Sequence, residues 1–184
     1  MKFEKFLNEA DEEKKLDADN CPPSLKTIKA NIKNHLKTIK EHGLGPLNPL
    51  KPNNEFWRDK ARKWGISEGD ARGRMCLNCE HYLQTKQINF CIMNGPLKDF
   101  KTSMVPVNPR PTDIESRPVA WCMLYDITCS PVRVCDSQEE GGPIDDYKAI
   151  KLGIDNIDFS EPDLFDKLDK ITDTMSELEE EEMD

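Results

Sequence analysis

Long apolar runs are missing from this chain of 184 residues. None approaches the roughly 20 residues that span a bilayer, and no secretory apolar core stands near its start. These absences predict a protein that does not enter a membrane and is made in a cytosol. Histidine is scarce: His35, His42 and His81 are the three, and none stands beside a plausible nucleophile. No glycine-rich phosphate loop, Gly-x-Ser-x-Gly or His-Glu-x-x-His occurs. Acid–base and nucleophilic catalysis therefore have few candidates, and the expectation is a binding or structural protein rather than an enzyme. Core-forming material is also short. With 36% hydrophobic residues, 33% charged residues and 13 prolines, the chain has little to build an ordinary core from. A small domain so poor in apolar surface needs a metal or disulfides as a staple.

The formal charge of −9 is unevenly spread. Residues 155–184 hold thirteen acidic side chains against two lysines, whereas residues 24–64 hold ten basic against three acidic. Such a chain can fold back on itself or present two unlike faces to partners. Its overall acidity argues against nucleic acid as the main partner, leaving at most local phosphate contacts from the basic segment.

Cysteine is what the chain has in quantity. Six of the seven cysteines lie between residues 76 and 135, as Cys76-Leu77-Asn78-Cys79, Cys91, Cys122, Cys129 and Cys135. A Cys-x-x-Cys pair puts two thiolates on one tight turn within reach of a single centre, and two more from later in the chain complete four-sulfur ligation. Thiols stay reduced in a cytosol, and an odd count further disfavours a full set of disulfides. Four readings stay open. One is an iron–sulfur cluster, spaced C-x2-C-x11-C-x30-C, whose inorganic core tolerates irregular spacing. The second is a structural zinc, although a second short pair is missing because Cys129 and Cys135 stand too far apart for one. The third is one or two disulfides, Cys129 with Cys135 among them, formed after release from the cell. The fourth treats some cysteines as small buried apolar groups. Tyr82, Phe90, Trp121 and Tyr125 lie close to the first four ligand candidates, where bulky rings would keep water from a cluster. Cys21, isolated before Pro22-Pro23, reads as a plain surface thiol.

Three regions follow: an N-terminal helical arm and linker over residues 1–53, a cysteine-rich domain over 54–147 and an acidic tail over 148–184. In the arm, Phe3, Phe6, Leu7 and Ala10 share one helical face. Ser24 is the expected N-cap of a helix with an apolar stripe of Leu25, Ile28, Ile32, Leu36 and Ile39. Lys26, Lys29, Lys33, Lys37 and Lys40 lie opposite, and Gly43 ends the helix. Short helices are expected over residues 55–63 and after Ser67. The prolines between residues 94 and 120 predict an irregular wrap, and a tail helix is expected through Leu164, Phe165, Leu168, Ile171 and Met175.

The segment Cys76-Leu77-Asn78-Cys79-Glu80-His81-Tyr82, Phe90-Cys91 and Ala120-Trp121-Cys122-Met123-Leu124-Tyr125 resembles high-potential iron–sulfur proteins. That family shows C-x-N-C followed by an aromatic, a third cysteine, then Gly-Trp-Cys with another aromatic three residues on. The resemblance implies one [4Fe-4S] cluster on Cys76, Cys79, Cys91 and Cys122 in a small, loop-rich fold. Here Ala120 replaces the glycine, the gap before Cys122 is longer, and Cys129 and Cys135 are additional. Either could displace Cys91 or Cys122 as a ligand, or the two could pair in a disulfide.

The wider block is similar to a group of uncharacterised proteins of tailed bacteriophages. It comprises Phe56-Trp57, Ala61-Arg62-Lys63-Trp64, the cysteine pair, Cys135-Asp136 and Gly141-Gly142-Pro143-Ile144. The first ten residues resemble the capsid-targeting peptide of large contractile-tailed phages, which implies cleavage between Glu9 and Ala10. The expectation is thus a small, irregular, metal-stapled domain with α-helical arms, a high-potential iron–sulfur-protein-like centre and little regular sheet. Its function would be that of a cluster-binding virion protein, made in the host cytoplasm and docked on capsid, neck or tail proteins. A one-electron carrier, an oxidant sensor and a zinc-stabilised adaptor are the rivals.

Overall fold

The computed structural model describes residues 16–98, 119–155 and 157–159. The expected first helix, the cleavage point, most of the proline-rich wrap and the tail helix lie outside these residues. Six α-helices and one small sheet are described: α1 (Pro23–Lys26), α2 (Ile28–His42), α3 (Asn54–Trp64), α4 (Glu68–Gly73), α5 (Lys86–Asn94) and α6 (Asp146–Lys151). Strands β1 (Tyr82–Leu83), β2 (Ala120–Cys122) and β3 (Ile127–Cys129) form an antiparallel sheet in the order β1-β2-β3. No described helix is long and apolar enough to cross a membrane.

Strand alternation gives this small sheet two different faces. Tyr82 pairs with Cys122, Cys122 with Ile127 and Ala120 with Cys129, so these five side chains share one face. They pack with Leu44, Cys76, Leu77, Cys79 and Cys135. Leu83 and Trp121 point the other way and meet Cys21, Leu25, Ile88, Cys91, Ile92, Ile154 and Phe159. Leu25 from the expected arm and Phe159 from the expected tail thus bury against Trp121, in one core with α5. A third cluster of Trp57, Ala61, Ala71 and Val134 ties α3 and α4 to the loop after β3.

Helix α2 departs from expectation at its start and along its buried face. Thr27, not Ser24, is the N-cap: its extended backbone separates α1 from α2, and its hydroxyl accepts from Ala30 N–H. Ser24 is instead buried, its N–H donating to Asp126 Oδ1. Of the expected apolar stripe, Leu25 is buried while Ile32 and Leu36 are 50% and 63% exposed. The helix seats itself through polar groups. Asn31 accepts from Thr128 N–H at 3.0 Å and donates to its hydroxyl at 3.0 Å, so it covers the free edge of β3. Asn34 Nδ2 donates to Asp126 O at 2.9 Å. Gly43 ends the helix in the left-handed conformation, as its position predicts. Helices α3 and α4 also follow expectation, with left-handed Gly65 closing the first and the Ser67 hydroxyl capping the second.

His35 sits in the α2–β3 contact, its Nε2 3.3 Å from Thr128 Oγ1. Burial, with the Arg133 charge adding to it, lowers its pKa from 6.5 to about 4. As pH falls below 6.5 the unfolded chain takes up this proton first, so stability present at neutral pH is lost between pH 6.5 and about 4. Acid titration of chemical unfolding should show a loss of about 2–3 kcal/mol over that window, after allowance for solvent screening. His35→Gln should remove most of it. An unchanged pH profile in that variant would assign the acid sensitivity to other groups.

Candidate metal centre

The turn carrying the cysteine pair is a single 3-10 turn over Cys76–Asn78. Two loops fix it from either side. Cys76 N–H donates to Arg133 O and Leu77 N–H to Pro131 O, which joins the pair to the segment after β3. Glu80 N–H donates to Glu139 O, while Gly141 and Gly142 N–H both donate to Asn78 O. At Gly142 the approach is so close that a Cβ would fall 1.8 Å from Cys79 O, so a side chain there would force the loop off the turn.

Cys135 is placed by the same segment. Asp136 N–H donates to His42 O, Gly45 and Val134 exchange backbone hydrogen bonds, and the Asp136 carboxylate takes Lys60 Nζ at 2.5 Å and Lys63 Nζ at 2.6 Å. Burial works against ionised Asp136, yet the two ammonium groups hold its pKa below the ordinary value. Trp64 Nε1 donates to Asp136 O at 3.1 Å, so α3 clamps the residue that follows Cys135.

These constraints bring Cys76, Cys79, Cys122, Cys129 and Cys135 to the wall of one small cavity, completed by His81, Tyr82 and Gln138. All five are free thiols and buried. The expected ligands Cys76, Cys79 and Cys122 are therefore together, and so are Cys129 and Cys135. The fourth, Cys91, is not with them. Cys91 forms a disulfide with Cys21, their Cα atoms 5.7 Å apart, on the opposite side of the sheet. The reason is helical phase: on α5, Cys91 lies three residues after Ile88 and beside Ile92, on the face turned to Trp121. Cys21 is correspondingly no surface thiol but 5% exposed. No Cys129–Cys135 disulfide forms. Among the aromatics, Tyr82 lines the cavity and Tyr125 packs near it, its ring stacked on His42 with 4.4 Å between centroids. Trp121 and Phe90 belong to the other core.

Backbone amides are aimed at three of the five sulfurs. Cys79 receives N–H groups from Glu139 and His81, Cys122 from Tyr125, and Cys135 from Ser137. Such donors favour thiolate, and amide hydrogen bonds to sulfur tune thiolate-ligated metal centres. Cys129 differs: its Sγ lies 2.7 Å from Cys76 Sγ, toward which it is placed to donate, and 3.5 Å from Ser130 O. Burial and mutual proximity keep Cys76, Cys79, Cys122 and Cys135 from ionising on their own. Cys76 is pushed well up, first by the Cys129 hydrogen bond and then by burial; Cys122 is pushed up by burial and the Cys129 charge. Burial is the main cause that raises Cys79 to about 11 and Cys135 to about 12. A cation in their midst reverses this balance, because metal binding displaces the protons.

Comparison of the chain with protein-family models, with curated proteins and with solved structures finds no match.

The spacing of the sulfurs bears on what they fit. Among the described residues, one group of three metal-ligating side chains, Glu80, His81 and Glu139, brings its ligand atoms all within 4.8 Å of one another; no three cysteines do so. A tetrahedral zinc, with Zn–S near 2.3 Å, needs sulfurs roughly 3.8 Å apart. The thiols line a common wall without converging on one point. A further sign is Gln138, 4% exposed on the same wall, whose amide nitrogen and oxygen both lack a hydrogen-bond partner among the described residues. Sequence reasoning missed Gln138 entirely; it offered Cys129 and Cys135 only as alternative ligands, and the structure brings both, rather than Cys91, to the wall with Cys76, Cys79 and Cys122.

Proposed function

We propose that the chain is a non-enzymatic iron–sulfur protein that holds one [4Fe-4S] cluster on Cys76, Cys79, Cys122 and Cys135, with Cys129 as a fifth cysteine outside the ligand set. The observation that carries this reading is the five-cysteine cavity, with backbone N–H groups directed at Cys79, Cys122 and Cys135. A fifth ligand would add a negative charge to an already anionic, buried site, which favours leaving Cys129, whose Sγ faces Cys76 Sγ at 2.7 Å, outside the ligand set. When bound, such a cluster supplies a one-electron centre and a covalent staple. The residues around it hold the sulfurs, exclude water through Tyr82 and fix the turn through Gly142. For a chain short of apolar material, the staple role is sufficient reason for the cluster. An electron-carrying role would share every ligand and differ in requiring a reversible potential.

We propose further that the protein is a virion component contacting capsid, neck or tail proteins. This part rests on the likeness of Phe3–Ala10 to capsid-targeting peptides and of the cysteine block to phage proteins.

Anaerobic purification followed by visible absorption and metal analysis tests the central reading. The expected result is a brown protein with equal iron and inorganic sulfide, about four of each per chain. One zinc and no iron would replace the cluster with a zinc-stabilised adaptor, and a metal-free protein would overturn both.

A further inference from the structure

We propose that Gln138 is the side chain that recognises the group held by the cysteines, donating an amide N–H to that group's sulfur; this rests on the cluster reading above. Three consecutive residues wrap the cavity. Ser137 gives its backbone N–H to Cys135, Glu139 gives its backbone N–H to Cys79, and the Gln138 side chain lies on the wall between them. Other buried side-chain atoms also lack partners, on Ser24, Ser130 and Arg133, but of these residues only Gln138 lines the cavity. A carboxamide with two donors and an acceptor, buried without partners, is costly. An anionic, sulfur-rich group in the cavity satisfies its N–H, and hydrogen bonds to cluster sulfur raise the reduction potential and hold the cluster.

The inference predicts effects of opposite sign in the metal-free and loaded proteins. Gln138→Met keeps the side chain's length and removes every donor and acceptor. In the full chain stripped of metal by chelator under reducing conditions, the variant should unfold several degrees higher than wild type, because a partnerless amide has gone. After anaerobic reconstitution with ferrous iron and sulfide, the same variant should have a lower midpoint potential. It should also release iron to a chelator about tenfold faster. Gln138→Glu, of equal size, puts a carboxylate in an anionic pocket and should fold, by circular dichroism, yet reconstitute with little iron. A merely structural glutamine would move metal-free and loaded stability in the same direction, which would overturn the inference. So would a loaded Gln138→Met protein with unchanged potential and release rate. A wild-type protein that takes up no iron would sink the cluster reading itself and the inference with it, whereas loaded wild type beside an indifferent variant sinks only the role of Gln138.

Discussion

Replacing Cys135 by serine in a Cys129→Ser background is expected to abolish stoichiometric metal binding, while Cys129→Ser alone and Cys91→Ser alone keep it. The background matters because Cys129 faces Cys76 at 2.7 Å and could otherwise stand in for a lost ligand. Cys135 is held on both sides of its backbone, by the Val134–Gly45 pairing and by the Asp136 clamp, and its sulfur takes an amide N–H from Ser137. Serine in its place offers a weak oxygen donor with a far higher pKa, so three thiolates remain where four are needed. Binding energy at thiolate metal sites is folding energy, on the order of 10 kcal/mol for structural zinc. Loss of a ligand should therefore lower the stability of the reconstituted protein by about 5 kcal/mol or more, roughly 10–20 °C in melting temperature for a chain of this size. Iron per chain and thermal unfolding, measured side by side, read both effects. Full metal in the double variant together with metal loss in Cys91→Ser would return the ligand set to Cys76, Cys79, Cys91 and Cys122.

How much of this site could be read from sequence depended on whether the signal was local. Cys76 and Cys79 are legible because their spacing alone puts them on one turn. Gly43, Gly65 and Ser67 are legible for the same reason, since each ends or starts a helix through its own backbone or hydroxyl. Cys122 and Cys129 join the site through β-alternation, which sends Trp121, the residue before Cys122, to the other face. The tendency to group Trp121 with its neighbour Cys122 overlooks that period of two. The motif resemblance places Cys91 on the metal, although Ile88, Cys91 and Ile92 already form a helical stripe belonging with an apolar core. Its partner Cys21 gave no such sign, because only the folding of Pro22 and α1 against Trp121 buries it. For α2 the failure runs the other way. An apolar stripe is present, yet the helix turns Asn31 and Asn34 inward because Thr128 on the unpaired edge of β3 and Asp126 just before it offer hydrogen bonds that Ile32 and Leu36 cannot make. Cys135 was legible only as an alternative ligand, and Gln138 not at all. Their place depends on a loop that closes on Asn78 and Cys79 from some 60 residues away in the chain.

The other large effect is expected from the Cys21–Cys91 disulfide, and it should be separable from the metal. The bond closes a loop across a sequence separation of 70 residues. Chain-entropy arguments assign such a cross-link about 4 kcal/mol, with measured bonds more often between 2 and 4. It joins the segment before α1 to α5, where Gln87 Nε2 also reaches Asp17 O at 2.6 Å, Asn20 O at 2.8 Å and Cys91 Sγ at 3.4 Å. Those polar contacts and the burial of both sulfurs, at 5% and 2% exposure, keep the two segments apposed once reduced, so a loss of about 3 kcal/mol is the expected outcome. Urea unfolding of oxidised protein, of protein reduced under mild denaturant, and of the Cys21→Ala/Cys91→Ala variant measures it. Metal content should be the same in all three, because the disulfide and the five thiols lie on opposite faces of the sheet. Equal stability of oxidised and reduced forms would show that the two sulfurs contribute packing alone. A reducing cytosol keeps such a pair as thiols, and an oxidising exterior closes it. Protein from acid-quenched cells, alkylated in denaturant, should therefore be labelled at Cys21 and Cys91, and protein oxidised after purification should not. A bond already closed inside cells would mean that the fold itself protects it from cellular reductants, and that release from the cell has no part in forming it.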